Sequence, residues 1–438
     1  MKIHSVFIIF LFIFPYFVIY YLYQRFYKRF FVLNSAKITS VLLGADLNSY
    51  SVARAFSEYC GAVSYAFGKY PLGATNHSDI VNFAVEEGLS DDSVTISLLV
   101  SFAEAHSGEE LYLFGCTDEY AEMIIRNRAT LSEYYFCPCV TADMAETLGT
   151  KESFYSMCEK YGIPYPKTFL LRPDDKADSL SEEILGFSYP VIIKPSHSSS
   201  YWKHLFDGMK KVYCAKNEDE AKAIAGKIFG AGYEESLIIQ DMIPGGDDRM
   251  YVLTCYSGTD GKTKKACLGH VLLEEHTPKG LGNHTAVITE NHPEITELLI
   301  KFLDEIGYMG FSNFDIKYDS RDGKFKVFEV NLRQGRSNYY VTSAGQNIAK
   351  TVIDDRRGLL SGDCEICHSE VFWHTVPKPI IYKYAGKDMA KKLKSLVRSG
   401  KSFSSLWYRK DLKNPKRLFF VAVHNFRYYG KYRKNGDI

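Results

Sequence analysis

The chain has 438 residues, of which 46% are hydrophobic and 24% charged, and its formal net charge is +1 at pH 7. These fractions are ordinary for a globular protein, and the length allows two or three subdomains with cores of their own. The sequence contains no internal repeat and no low-complexity linker, which excludes a repeat array.

The first distinctive segment is residues 5–23, which contain 19 residues without a charge. That length matches the hydrocarbon core of a bilayer, and a proline such as Pro15 is tolerated in membrane helices. The run is too long for a signal-peptide core, and no good cleavage site follows closely. Arg25, Lys28 and Arg29 flank its C-terminal side, so the positive-inside rule puts the rest of the chain in the cytoplasm.

We therefore predict a single-pass protein of the cell membrane, with its catalytic part cytoplasmic at the inner leaflet. In this prediction residues 1–34 form a membrane anchor and a basic juxtamembrane segment. The alternative interpretation of residues 5–23 is a helix buried in a protein core.

Residues 35–145 have the pattern of a parallel α/β domain. Residues 37–43 predict a strand, residues 49–59 a helix, and residues 110–115 a second strand followed by a helix. Open sheets of this kind bind ligands at the carboxyl ends of their strands. Asp46, Asn48 and Arg54 are therefore candidates for substrate contact, although helix capping and surface charge explain them equally well.

A short apolar strand over residues 189–195 ends in Lys194. A lysine at a strand end, held over phosphates, neutralises charge as they shift. The small hydroxyl residues that follow suit a loop over phosphates, and they include Ser198, Ser199 and Ser200. The alternative is an ordinary lysine on an edge strand.

Residues 237–246 predict a buried strand that runs into a Pro-Gly turn. Gln240, Asp241 and the backbone near Ile243 are placed to face the edge of an adenine ring. Asp247 or Asp248 is placed to bind ribose hydroxyls. We favour Asp248, because it is expected to start the next strand.

Residues 270–287 predict a strand, a polar loop rich in Gly and Pro, and a returning strand. A mobile loop near the phosphates is able to gate an acceptor substrate. Its candidate side chains are Lys279, Asn283 and His284, and the alternative is an ordinary loop.

The most informative segment, residues 310–336, predicts a β-hairpin with its polar side chains on one face. Residues 311–318 and 324–331 alternate with a turn between them, and strand side chains have a period of two. If the turn is centred on residues 321–322, Asp315 lies opposite Glu329. With Asn331 they group hard oxygen ligands that suit Mg²⁺ carrying nucleotide phosphates. Five apolar residues are assigned to the opposite, core face: Phe314, Ile316, Phe328, Val330 and Leu332. The alternative is a hairpin with a solvated polar face.

Taken in order, these motifs resemble the ATP-grasp superfamily over residues 38–360. The residues that carry the resemblance are Lys151, Lys194, the hinge from Gln240 to Ile243, Asp248, Asp315, the Glu329-Val330-Asn331 strand and Arg333. The resemblance implies an α/β fold in which a parallel pre-ATP-grasp domain precedes a two-lobed ATP-grasp domain over residues 146–360. Residues 361–438 then form a basic C-terminal extension.

Within the superfamily, residues 41–61, 272–287 and 307–340 look like the D-aspartate ligase group of carboxylate–amine ligases. The chain departs from many relatives at two places. Gln240 stands where a glutamate is common, and serines and His197 stand in a loop that is commonly glycine-rich. Both changes keep hydrogen-bonding capacity, since glutamine accepts a hydrogen bond and serine adds donors.

The resemblance implies that a carboxylate attacks the γ-phosphate of ATP to give an acyl phosphate, from which an amine displaces phosphate to form an amide. Positioning and charge stabilisation are the enzyme's share of this chemistry. The implied roles are phosphate binding by Lys151 and Lys194, binding of one or two Mg²⁺ by Asp315, Glu329 and Asn331, oxyanion stabilisation by Arg333, and carboxylate recognition by Gln334, Arg336 and Asn338. The implied donor is D-aspartate or a similar small acidic amino acid. The implied acceptor is an amine on a peptidoglycan precursor.

The C-terminal part of the chain is strongly basic, with 17 Lys or Arg against 3 Asp or Glu over residues 376–438. Such a tail favours an anionic partner, and the alternative is a solvated helical face. Other functions that stay open are another ATP-grasp ligase, for dipeptide synthesis or surface-polymer tailoring, a non-catalytic membrane-bound nucleotide sensor, and a protein that binds membrane or nucleic acid through the tail. Nucleic acid is the weakest of these, because few motifs for base readout exist.

Ten cysteines are irregularly spaced and are expected to be reduced thiols in the cytoplasm. Cys364, Cys367 and His368 spell a haem-attachment pattern, but haem needs export and zinc needs a second pair of ligands. We interpret these cysteines as buried thiols.

Overall fold

The computed structural model describes residues 36–70, 73–175, 180–277 and 280–435. Its first unit is a four-stranded parallel sheet with the strand order β3-β2-β1-β4. The elements are β1 (Ile38–Leu43), α1 (Leu47–Cys60), β2 (Ser64–Gly68), β3 (Val81–Val85), α2 (Asp92–Ala105), β4 (Glu110–Gly115), α3 (Asp118–Arg126) and α4 (Arg128–Leu131). Both faces of β1 are buried, with Leu42 in one core and Val41 and Leu43 in another, as expected for a parallel strand.

Two helices, α5 (Ala142–Gly149) and α6 (Lys151–Tyr161), connect this sheet to the next. The helices are separate because Thr150 has an extended backbone, with φ −101° and ψ 147°, and its side chain accepts a hydrogen bond from the Ser153 backbone N–H. Thr150 is therefore the N-cap of α6, and Lys151 is the first residue of that helix.

The second unit is a four-stranded antiparallel sheet with the strand order β5-β8-β6-β7. Its elements are β5 (Thr168–Leu171), α7 (Glu182–Leu185), β6 (Val191–Pro195), α8 (Ser198–Tyr201), β7 (Tyr213–Ala215), α9 (Glu218–Gly230) and β8 (Leu237–Asp241). Ile193, Leu237 and Ile239 enter its core. The alternating period then puts Lys194 and Gln240 on the face opposite that core.

The third unit is an eight-stranded sheet with the order β13-β12-β9-β10-β11-β15-β16, in which β14 pairs with β10. Its elements are β9 (Met250–Ser257), β10 (Thr263–Glu274), β11 (His284–Thr289), α10 (Pro293–Glu305), β12 (Gly310–Asp319), β13 (Lys324–Asn331), α11 (Tyr339–Ser343), α12 (Ile348–Arg356), β14 (Glu365–Ile366), β15 (Phe372–His374) and β16 (Ser402–Ser404). One face packs on α10 through Leu299 and Leu303. The other joins a core shared with the first unit, to which Tyr340 and Phe56 belong.

The C-terminal segment contributes α13 (Lys378–Tyr384), α14 (Lys387–Arg398) and α15 (Pro415–Asn435). It is not only a solvated surface, because Arg417 and Asp411 are both fully buried and form an ion pair of 3.0 Å. The Tyr50 hydroxyl of α1 donates to Asp411 over 2.6 Å, and the Arg417 guanidinium lies 4.4 Å from the centre of the Tyr50 ring. This pair therefore fastens the segment to the first unit.

The predicted localisation, a single-pass protein of the cell membrane, is contradicted and is corrected here. Across the described ranges, no helix is both long and apolar enough to cross a membrane. The longest of these helices, α15, has 21 residues, but its sequence includes six Lys or Arg. The predicted anchor at residues 5–23 lies outside the described residues.

Most of the strands predicted around the site are confirmed, including β1, β4, β6, β8 and both strands of the β12–β13 hairpin. The predicted domain boundaries at residues 34, 145 and 360 stay predictions. The carboxyl end of the first sheet, the second sheet and the β12–β13 hairpin meet in one region, and the candidate site lies there.

Candidate active site

The register of the β12–β13 hairpin is the predicted one: Asp315 pairs with Glu329 and Asn313 with Asn331. The register shifts between Asp315 and Ile316, which is a β-bulge. Because of the bulge, Val327 is fully buried in the core while Phe328 is only half-buried. The prediction that Phe328 lies on the core face is therefore wrong.

Asp315 is half-buried and lies among acidic neighbours. Burial raises the pKa of its carboxyl, and the nearby Glu329 and Glu274 raise it further. The Asn331 amide donates to Asp315 over 3.3 Å and to the Asn313 carbonyl over 3.2 Å. Within the described residues, no cation forms an ion pair with Asp315.

This donor set suits Mg²⁺ that shares its coordination with phosphates. The hairpin supplies two carboxylates and one amide oxygen, and the described part of the chain contains no cluster of three His, Cys, Asp or Glu able to hold a metal alone. Mg²⁺ is commonly bound through one or two carboxylates, with substrate phosphates and water as its other ligands. A divalent cation here also balances the negative charge of the neighbouring acids, which raises the pKa of Asp315.

Lys151 reaches the hairpin from the first turn of α6. Its Nζ lies 3.0 Å from Glu329 Oε2. The positive charge of Lys151 holds the pKa of Glu329 below its usual range, although burial opposes this. The predicted phosphate-binding lysine and one predicted metal ligand are therefore paired in this structure.

Lys194 projects from β6 into the same region. Burial lowers its pKa to about 8, and the neighbouring Lys151 adds to the effect. Its Nζ donates to Gln240 Oε1 over 3.1 Å and lies 5.5 Å from the centre of the Phe328 ring. The ring that leaves the core at the bulge is thus placed beside this ammonium.

Gln240 is buried and held from two sides. Its Nε2 donates to the Tyr155 hydroxyl and to Thr168 Oγ1, each over 2.9 Å, so Oε1 faces Lys194, which has no acceptor to offer. The Tyr155 hydroxyl in turn donates to the Phe328 carbonyl over 2.9 Å. Sequence reasoning missed Tyr155, but its spacing of four from Lys151 on α6 was a usable signal.

The other predicted nucleotide residues lie where β8 ends. Ile243 is buried. The Asp241 carboxylate is held by the Arg321 guanidinium at the hairpin tip, over 3.0 and 2.6 Å. Asp248 is exposed in a 3₁₀ turn, Asp247–Arg249, so the expectation that it starts the next strand is wrong, since β9 begins at Met250. Asp247 instead accepts from the Glu274 backbone N–H over 2.8 Å.

The serine loop folds into the short helix α8. Ser200 is half-buried, whereas the side chains of Ser198 and Ser199 are outside the described part of the structure. Beside this loop is a cleft of about 820 Å³, whose lining includes Lys151, His197 and Ile238. A volume of this order accommodates a ligand the size of a nucleotide.

Arg333, Gln334 and Asn338 lie where the hairpin meets the first sheet. Arg333 Nε donates to Asp118 over 2.7 Å. Gln334 Nε2 donates to the Gly115 carbonyl over 3.3 Å, and Asn338 Nδ2 donates to Asn48 Oδ1 over 2.7 Å. The amides of Gln334 and Asn338 therefore join the third unit to the first.

Arg336 has a free donor. It is half-buried, and its Nη1 is buried without a hydrogen-bond partner among the described residues. Burial raises the pKa of Asp46, at the start of α1, and the charge of Arg336 opposes that rise. A guanidinium with an unsatisfied buried N–H is suited to bind a carboxylate.

The β10–β11 connection borders the same region. Lys279 is outside the described residues, and the Asn283 carbonyl accepts from the Glu275 N–H over 2.9 Å. Burial lowers the pKa of His284 to about 4, and its Nε2 is 3.7 Å from Glu274 Oε1. Sequence reasoning missed Glu274; burial raises its pKa to about 7, with Asp247 adding to the effect.

Comparison with known proteins decides the family. The chain is 36% identical over 411 residues to the D-aspartate ligase of Enterococcus faecium (strain Aus0004), and the match covers 92% of this chain and 97% of that protein. The chain belongs to the D-aspartate ligase family. No protein-family model matches the chain. A weaker likeness, 21% identity over 49% of this chain and 37% of the relative, is to the N-terminal section of the carbamoyl phosphate synthase large chain of Methanopyrus kandleri.

Solved structures show the fold. The biotin carboxylase domain of 2-oxoglutarate carboxylase from Hydrogenobacter thermophilus, in complex with MgADP, matches with a TM-score of 0.56 and 16% identity, over 74% of this chain and 71% of that chain. Phosphoribosylamine–glycine ligase from Thermotoga maritima matches with a TM-score of 0.53 and 18% identity, over 76% and 78%. The family member described here is thus an ATP-dependent C–N ligase with an α/β ATP-grasp fold, and it uses ATP and Mg²⁺.

Proposed function

We propose that this ligase joins the carboxylate of a small acidic amino acid, D-aspartate or a close analogue, to an amine on a peptidoglycan precursor. The amino acid is argued from the relative named D-aspartate ligase, whose length is matched almost throughout. The observation that carries the proposal is the β12–β13 hairpin. Its two paired carboxylates, Asp315 and Glu329, lie close to Lys151 of α6 and Lys194 of β6.

In this proposal Lys151 and Lys194 hold the phosphates of ATP. Asp315, Glu329 and Asn331 hold the Mg²⁺, which neutralises phosphate charge when bound. Gln240 keeps Lys194 in place through its 3.1 Å hydrogen bond. Ile243 and the backbone at the end of β8 border the adenine, and Asp248 borders the ribose.

Arg333 then acts on the carboxylate that is being activated. Only its Nε and Nη1 have partners among the described residues, namely Asp118 and the Gln334 carbonyl. The remaining N–H groups of the planar guanidinium are available for the acyl phosphate or the tetrahedral oxyanion. The side chain is partly buried, which increases what this charge contributes.

The amino acid is proposed to lie between Arg336 and Asp46. The free Nη1 of Arg336 is suited to a carboxylate, and the Asp46 carboxylate is suited to an ammonium. Gln334 and Asn338 position the segment that carries Arg336, through their hydrogen bonds to Gly115 and Asn48 of the first unit. Asn283, His284 and Lys279 belong to the side from which the amine enters.

The test is turnover of the full-length chain with MgATP, an amine acceptor and a panel of D- and L-amino acids, with ADP and amide both measured. We expect ADP release that depends on D-aspartate or an analogue, with amide formed in equal amount. Asp315→Asn should abolish both signals. A preference for an unrelated L-amino acid would indicate another ATP-grasp ligase, and nucleotide binding without turnover would indicate a nucleotide sensor.

A further inference from the structure

The terminal helix α15 reaches the active-site side of the third unit through Tyr432. Its side chain is buried, and its hydroxyl donates to the Glu274 carbonyl over 2.5 Å. The same hydroxyl lies 3.1 Å from Thr285 Oγ1. Tyr432 therefore bridges the last residue of β10 and the second residue of β11.

The neighbouring Lys431 makes a second connection. Its Nζ lies 2.8 Å from Glu275 Oε1, and Glu275 is only 6% exposed. Thr277 Oγ1 donates to the same carboxylate oxygen over 2.9 Å. A nearly buried carboxylate held by a cation and a hydroxyl fixes the place where the chain leaves β10.

The groups held in this way lie within electrostatic range of Asp315 and of Arg336 in the proposed amino-acid pocket. The Glu274 side chain is close enough to Asp315 to raise the pKa of that carboxyl. The charge of Arg336 acts on Glu275, on His284 and on His424, which belongs to α15 itself. The helix thus borders the region around Arg336 as well as the ends of the connection.

We infer that α15 is a positioning element of the amino-acid side of this active site, with Lys431 and Tyr432 as its positioning residues. They set the ends of the β10–β11 connection, and through them the places of Glu274 and His284. Neither residue contacts Lys151, Lys194, Glu329 or Gln240 in the described structure. The inference rests on the proposed function only for the identity of the substrates.

The kinetic test compares Tyr432→Phe and Lys431→Met with two controls on the same helix. Tyr429→Phe makes the same chemical change at a side chain that is 43% exposed, and Lys434→Met does so at an exposed lysine. We expect kcat/KM for the amino acid or the amine to fall about tenfold in the first pair, while the KM for MgATP changes less than about twofold. Lys431→Arg, which keeps the ion pair, should restore activity.

An exchange test does not depend on turnover. Hydrogen–deuterium exchange of peptides covering residues 273–286 should be faster in Tyr432→Phe and Lys431→Met than in wild type, and unchanged in both controls. If the two variants match the controls in exchange and in kinetics, or if the KM for MgATP rises in parallel, the inference is overturned. If wild type turns over no amino acid, the proposed function fails, and the exchange result alone still decides the inference.

Discussion

The β12–β13 hairpin and the C-terminal segment are both rich in charged side chains, but they differ in how those charges are paired. In the C-terminal segment the buried Arg417 has the buried Asp411 as its partner at 3.0 Å. In the hairpin, Asp315 is half-buried among other acids, and among the described residues its carboxylate accepts a hydrogen bond from the neutral Asn331. A buried charge with an opposite partner indicates packing, whereas a partly buried carboxylate without one indicates a place for a ligand.

The largest effect should come from removing the unbalanced charge. Asp315→Asn is isosteric and takes away an acid that burial and Glu329 disfavour, so the melting temperature should hold or rise. Turnover should fall roughly 10²- to 10³-fold or more, because charge stabilisation of phosphoryl transfer is lost. ADP release and thermal unfolding measure the two effects.

Asp322→Asn, at the exposed turn of the same hairpin, is the matched control and should leave turnover unchanged. Near-normal turnover in Asp315→Asn would remove Asp315 from the proposed metal site.

Breaking the Arg417–Asp411 ion pair should instead lower the free energy of unfolding. Arg417→Met leaves Asp411 charged and buried, which typically costs about 3–5 kcal/mol. Lys416→Met, at the exposed position beside it, should stay within about 0.5 kcal/mol of wild type. Chemical denaturation measures the difference, and Arg417→Met combined with Asp411→Asn should recover part of the loss. Equal stability of Arg417→Met and Lys416→Met would refute the packing role.

Arg333→Lys tests a side chain that follows the hairpin and contacts Asp118 of the first unit. Lysine keeps the charge but loses the planar fork, so amide formation should drop about tenfold to a hundredfold while MgADP affinity is retained. Asp118→Asn removes only the 2.7 Å contact to Nε and should have the smaller effect. If Arg333→Lys loses nucleotide affinity instead, the residue belongs to the phosphate site.

The smallest expected effect is a pH dependence that Lys194 gives to nucleotide binding. Burial lowers its pKa to about 8, so the free enzyme loses this positive charge as the pH rises above 8. Because phosphates bind the protonated form, MgADP affinity should weaken from pH 7 to pH 9. Calorimetry should also detect proton uptake on binding at pH 9. Lys194→Arg keeps its charge across this range, so an unchanged pH slope in that variant would contradict the assignment.

Local rules predicted the hairpin well, because the period of two and the turn fixed the pairing of Asp315 with Glu329. They could not predict the bulge that moves Phe328 towards Lys194, since one inserted residue leaves no clear mark on the alternation. The roles of Tyr155 and Glu274 depend on contacts between units. The packing of the C-terminal segment depends on the hydrogen bond between Tyr50 and Asp411, which are 361 residues apart in the chain.

The resemblance to a family likewise predicted roles for Lys151 and Glu329, which stay predictions, but it did not predict the contact between them. The expected roles of Lys151 and Glu329 are separate, one for phosphate and one for metal. Their 3.0 Å ion pair appears only when α6 is packed against the hairpin.

That ion pair has a thermodynamic consequence for substrate loading. If Lys151 holds a phosphate as proposed, its positive charge is shared between that phosphate and Glu329, and Glu329 then needs a further counter-ion. The nucleotide and the metal ion each relieve the cost that the other imposes, so their binding free energies are coupled. Metal-free ATP should therefore bind more weakly than MgATP by more than the lost metal contacts alone.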